Sequence, residues 1–429
     1  MSVWLAALVI AVQCNASLAQ SNGANTPQEP RAFPGAVGFG SETSAGRGGR
    51  IIRVTNLDSR GSGSLRAAIE ADGPRIVVFE VGGLIDLDKA DLRIRNPFIT
   101  IAGQTAPTPG ITIIRGGMKL QTHDILMQHM RFRMGDAGLP KKYGYESDVS
   151  VESGNAWNVV VDHCSMSWGT DENLSVSGPL DQGPNNTAHR VTLSNNIIAE
   201  GLWDSAHGKG KHSMGSLIHD NVQDVAIIGN LYAHNNDRNP YMKSNTTGVV
   251  VNNLIYNPGN CAICLGGYPP EWVGREMPPP PRITVVGNVL QHGSNTRKGL
   301  PLIRHSNTGV TADAYVEDNL AFDAAGQPAS LMTDSIRMLK DKPVWPAGLT
   351  ALPAAQVKEN VLTHAGARPR ERDIVDQRIV ADLRLGKGRI IDSQDDVGGY
   401  PSVQATRRTL DIPSTDIDGW LRRLALDLE

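Results

Sequence analysis

The sequence predicts an all-β chain wound as a parallel β-helix and ending in a partly helical tail. Three observations carry this. Short runs of four to six residues rich in Val and Ile recur from Arg75 onward, among them Ile76-Val-Val-Phe, Val159-Val-Val, Val191-Thr-Leu, Val225-Ala-Ile-Ile, Val249-Val-Val and Ile283-Thr-Val-Val. Asparagine corners follow them at Asn196, Asn230, Asn253, Asn288 and Asn319, with separations of 34, 23, 35 and 31 residues, and Cys164 stands in the matching place before the first. Little helix-period sequence lies between. A degenerate repeat of this length is the mark of a solenoid, in which one coil stacks on the next. Asparagines at one bend can then bond each other's amides and satisfy groups that would otherwise be buried unpaired. An antiparallel sandwich with asparagine in ordinary turns is the competing reading, and the fixed offset of the asparagine after each apolar run weighs against it.

In chain order, residues 1–19 read as a signal peptide. The apolar run Met1–Val12 is followed by Ser17-Leu18-Ala19, which places small residues at a cleavage site. Residues 20–31 read as a flexible leader, 32–325 as the β-helix, and 326–429 as a C-terminal extension packed on it. Gly48-Gly49 is a tight turn into a first strand rather than a phosphate loop, because no GK[ST] follows. Ser64 caps a short helix whose Leu65, Ala68 and Ile69 share one face, suited to plugging one end. Helix-period apolar residues return at Ser330–Lys340, Arg372–Arg384 and Asp416–Leu426.

Composition bounds the function. The 429 residues are 40% hydrophobic and 20% charged with a net charge of −3, an ordinary globular balance without the basic excess of a nucleic-acid binder. After the leader, no segment is long and apolar enough to span a membrane. Export leaves Cys164, expected in the core, and Cys261-Ala-Ile-Cys264, read either as a local disulfide or as two buried thiols.

Candidate chemistry is concentrated between Glu146 and Lys243. Glu146, Asp148, Asp171 and Glu172 fall near corresponding corners of consecutive coils, where carboxylates about 4.8 Å apart would need a cation between them. Oxygen ligands of this kind suit Ca²⁺; solvated turn acids are the plain alternative. Asp162-His163 looks like a dyad, but its place inside a strand pattern favours a structural pair. His207, Lys209, Arg238 and Lys243 bring cations towards the same face, with Pro240 stiffening the backbone beside Arg238. Cations opposite acids suit a polyanion such as a uronate chain. A carboxylate bridging Ca²⁺ and an arginine would have its α proton acidified, which favours β-elimination.

These segments resemble the pectate lyases of polysaccharide lyase family 1. Val-Val-Val-Asp162-His163-Cys164-Ser165 resembles their WIDHCS segment, and Arg238-Asn-Pro240-Tyr-Met-Lys243 their RxPxxR motif. Ser147-Asp148-Val149-Ser150 resembles the DAI segment, and Val249-Val-Val-Asn-Asn-Leu-Ile-Tyr256 the VYNNYY strand. With Ala32–Gly40, the Ala102–Pro107 turn and Asp392–Tyr400, the chain looks most like a bacterial branch of that family. The resemblance implies a right-handed β-helix that acts as a monomer on polygalacturonate, giving 4,5-unsaturated products. It implies Arg238 as the base, Lys209, Lys243 and His207 as substrate-binding residues, and Asp148, Asp171 and Glu172 as ligands of calcium. Two departures stand out. Lys243 replaces a second arginine, turning a two-pronged clamp into a point charge. Ser175 replaces a second acid, four residues after Asp171. Two other functions stay open on sequence grounds: hydrolysis by a polygalacturonase-like β-helix, which needs paired carboxylates, and non-catalytic binding of an acidic glycan.

Overall fold

The computed structural model describes residues 31–306 and 311–429. The expected signal peptide and nearly all of the leader lie outside them. Among the described residues, strands stack into three long sheets of eleven, eight and ten strands. Each complete coil contributes one strand to each sheet, the terminal coils contribute fewer, and Thr406–Arg407 of the tail adds an antiparallel edge to the ten-stranded sheet. Trp157–Asp162 pairs in parallel with His189–Ser194, for example, and Ser165–Ser167 with Ile197–Ala199. This is a right-handed parallel β-helix, the hand that parallel crossovers require. The inward side chains of all coils merge into one apolar core that runs the length of the solenoid and includes Cys164, Val191, Ile227 and Val285.

The asparagine corners are what close each coil. At the turn from the eleven-stranded to the ten-stranded sheet the chain reverses through two residues. The first is left-handed in coil after coil: His129, His163, Asn195, Gly229, Asn252 and Gly287. The second points inward. Asn196, Asn230, Asn253, Asn288 and Asn319 form a continuous ladder in which each Nδ2 donates to the next Oδ1 at 2.9–3.0 Å. Each Oδ1 also takes the backbone N–H one coil back, beginning with Cys164 N on Asn196 Oδ1 at 2.9 Å. Buried backbone donors are thus paired without water.

Helix α1 (Leu65–Glu70) covers the first coil, with Ser64 as its N-cap and Leu65, Ala68 and Ile69 buried. Arg75, fully buried in the strand that follows, donates to the carbonyls of Ala68, Ile69, Gly73, Asn96 and Pro97. It ties the helix end to the coil beneath.

The tail differs in part from expectation. Helices α2 (Ala354–His364), α3 (Ile374–Leu385) and α4 (Ile417–Leu426) pack on the solenoid. The last two match the expected segments, and α2 was not anticipated. Residues 330–340 form no helix. Ile336–Met338 instead extends the eleven-stranded sheet by pairing with Ala312–Ala314, so the sheet runs past the expected boundary at 325. The exposed edge of the preceding strand offers hydrogen bonds that an isolated ten-residue helix would not match. Helix α3 is fixed by charge: the fully buried Arg133 meets its N-cap Asp373 at 2.9 Å and Asp376 at 2.7 Å, and Ser165 Oγ donates to Asp376 at 2.7 Å. Cys261 and Cys264 are joined by a disulfide, one of the two alternatives left open.

Asn230→Ala should test the ladder. It strips the partners of Asn196 N and Nδ2 within the core, so chemical denaturation should show a loss of about 2–4 kcal/mol.

Candidate active site

The eight-stranded sheet forms a lateral face, and the loops that enter its strands carry the chemistry. Asp148 precedes Val149–Glu152, Glu172 precedes Leu174–Ser177, the 200–216 loop precedes Leu217–Ile218, and Arg238 precedes Tyr241–Met242. The pairing of Val149 with Leu174 sets Asp148 opposite Asn173 rather than Asp171. Bridges from Glu172 to Met214 and from Met214 to Asp237 carry the same row to Arg238.

A second set of inward amides lies directly under this row. Asn173 Nδ2 donates to Asn235 Oδ1, and Asn235 Nδ2 to Asn239 Oδ1, both at 3.0 Å. Asn173 follows Glu172 and Asn239 follows Arg238, so the buried network holds the backbone on which both charged side chains stand. Gly215 lies between them. A Cβ there would come within 2.5 Å of the Arg238 carbonyl oxygen. Arg238 itself is left-handed, with φ 61°, a conformation few non-glycine residues take without support from their surroundings.

Each candidate acid has its own cation. Glu172 pairs with Arg238, whose side chain is 23% exposed. Asp148 pairs with Lys119 from the coil before. Asp171 Oδ1 lies 2.7 Å from His212 Nε2 and 3.5 Å from His207 Nε2. His207 and His212 stack with centroids 4.1 Å apart. The backbone N–H of Lys209 donates to His207 Nδ1 at 3.1 Å, which leaves the His207 proton on Nε2, 3.4 Å from Glu146 and 3.5 Å from Asp171 but hydrogen-bonded to neither. Lys209 itself is exposed at the rim. Lys243 is not free to meet a ligand. It is buried between Asp220, 2.7 Å away, and Glu271.

The electrostatics follow from these pairs. Burial pulls the Arg238 guanidinium below its ordinary range, while nearby Asp171 works the other way. Burial would raise the Asp171 carboxyl, but the His212 bond and the charges of His212, His207 and Arg238 outweigh it and bring it down to about 2. Asp148 goes up to about 6, because burial, with Asp171 and Glu152 adding to it, exceeds what Lys119 returns. Asp148, Asp171 and Glu172 each carry oxygen donors of the kind a hard divalent cation takes, but they do not converge on one point: among the described residues Asp171 groups with His207 and His212, while Asp148 and Glu172 are held by Lys119 and Arg238.

Lys119, His212 and Glu271 were not singled out from sequence. Lys119 had a signal, as the polar middle of the strand Met118-Lys-Leu120. His212 ended a segment already noted for His207. Asp162 and His163 lie away from this face, where Asp162 accepts from Gln128, Ser194 and Asn195 and sits 2.9 Å from His163 Nδ1. They are a structural pair at a corner.

Known proteins share this architecture. No family model matches the chain. A probable pectate lyase C of Aspergillus flavus is 34% identical over 400 residues, covering 90% of this chain and 85% of the relative. The Aspergillus oryzae counterpart gives the same figures. The major allergen of cedar pollen superposes with a TM-score of 0.56 at 18% identity, over 77% of this chain and 92% of that one. A variant of Bacillus subtilis pectate lyase gives 0.52 at 13% identity, over 77% and 96%.

Gly215→Ala should push the Arg238 backbone outward. Chemical denaturation should show a loss of about 1–3 kcal/mol, the cost of forcing a methyl group against backbone in a packed site.

Proposed function

This chain belongs to the pectate lyase family, and we propose that it is a secreted lyase that cleaves polygalacturonate or a closely related uronate polymer by β-elimination. The observation that carries the reading is Arg238: a partly buried guanidinium, lowered by desolvation, held by Glu172 on a face where acids and cations alternate over successive coils. Arg238 would take the proton from C5 of the uronate. The C4–O bond then breaks, a C4=C5 double bond forms, the leaving oxygen takes a proton from water, and Arg238 returns the C5 proton to solvent. An arginine stays protonated, and so cannot accept a proton, unless its pKa falls; burial in this cleft works in that direction, and the charge of Asp171 opposes it.

Asp148, Asp171 and Glu172 are the residues that would hold calcium. Bound there, the ion would neutralise a uronate carboxylate and so acidify C5. Around it, His207 and His212 fix Asp171, Glu172 orients Arg238, and Lys209 at the rim is the lysine placed to meet a uronate carboxylate. Lys243 takes a different part from the one its motif implies, because Asp220 and Glu271 already hold it; its charge reaches substrate only if Glu271 moves aside. Export is supported by the N-terminal sequence pattern and by the Cys261–Cys264 disulfide, a bond at home in an oxidising compartment.

The purified protein incubated with polygalacturonate and calcium should release products that absorb in the ultraviolet as conjugated uronates. Hydrolysis would release sugar without that absorbance, and a binding protein would release nothing. Arg238→Ala should reduce turnover by at least about 10³-fold while the protein stays folded at assay temperature, with a lowered melting temperature because Glu172 loses its partner; retained activity would remove Arg238 from the reaction. A chelator should stop wild-type turnover, and calcium should restore it; a rate indifferent to both would remove the metal.

A further inference from the structure

Lys119 has no part in the reaction as drawn, yet it is built into the acid row. It sits on the strand Met118–Leu120, in register with Ser150. Its ammonium bonds Asp148 and lies 3.7 Å from Glu152 Oε2. Both Lys119 and Asp148 are withdrawn from solvent, with side chains 14% and 8% exposed. Glu152 is held in turn by Gln121 Nε2 at 3.0 Å and Ser150 Oγ at 2.9 Å. The lysine is therefore seated between two acids, of which Glu152 is kept in place by its neighbours, unlike a surface lysine that happens to lie near a carboxylate.

Lys119 and calcium want the same atoms. An ammonium tethered one coil away competes at a fixed, high local concentration, whatever the composition of the medium. A metal ion that takes Asp148 has to displace the lysine, and that displacement is subtracted from its affinity. We propose that Lys119 is an internal competitor for the Asp148 end of the calcium site: it keeps the buried acid paired in the resting enzyme, and it holds calcium affinity low until substrate carboxylate joins the site. Glu152 gives the displaced ammonium a second acid to lean on, so the exchange does not strand a buried charge. The inference rests on the calcium reading given above.

Isothermal calorimetry of calcium binding to the substrate-free protein tests it apart from turnover. Lys119→Met should bind calcium at least tenfold more tightly than wild type, and Lys119→Arg, which keeps the competing charge, should stay near wild type. The double variant Lys119→Met/Asp148→Asn should lose the gain. Equal or weaker binding by Lys119→Met would overturn the proposal while leaving the calcium site in place. Absence of calcium binding in both wild type and Lys119→Met would instead sink the calcium reading, and this inference with it. Removing the lysine leaves Asp148 buried without its cation and so lowers stability. Melting curves cover that case. Calcium should raise the melting temperature of Lys119→Met by more than that of wild type, and a variant that stays unfolded in millimolar calcium would count against the proposal.

Discussion

Every coil of this chain has to turn a corner inside its own core, and a corner leaves backbone donors where no water reaches. The asparagine amide resolves that difficulty because it both gives and accepts in one plane. From Asn196 to Asn319 each amide serves the coil on either side, so no coil can shift against the next without breaking two or more buried bonds. The same device recurs on the other side of the core through Asn173, Asn235 and Asn239. There its consequence is positional: the residues just before Asn173 and Asn239 are Glu172 and Arg238. The rigidity of the active face comes from the interior amides beneath it.

Charge on that face follows one rule. Lys119 answers Asp148, His212 and His207 answer Asp171, Arg238 answers Glu172, and Asp220 with Glu271 answer Lys243. A cleft made for a polyanion would be held open by repulsion if its cations stood alone, and would collapse around buried charge if its acids did. Pairing each with a partner from another coil lets the folded protein carry them at tolerable cost.

Much of this was legible in the residues. The corner asparagines and the valine-rich strands have one-dimensional signatures, because each coil repeats its environment. The run from Asp148 to Arg238 was legible as acids and cations in successive coils. What stayed hidden depends on contacts across coils of unequal length. Lys119 lies far in sequence from Asp148 yet one strand away in space, and the Asn173–Asn235 step spans 62 residues. Lys243 reads as a ligand from its motif; only the fold brings Glu271 onto it. The segment 330–340 shows the reverse case: its apolar spacing satisfies a helix, but an open sheet edge next to it decided the outcome.

The N-terminal cap has a consequence beyond stability. A solenoid made of parallel strands ends in a row of unpaired peptide groups that would accept a strand from any neighbour, and two such ends would grow into a fibre. Helix α1 lies over the first coil, and Arg75 spends its guanidinium on five carbonyls that tie the helix to that coil. One buried cation thus holds in place the cover over the end at which a further strand would otherwise add.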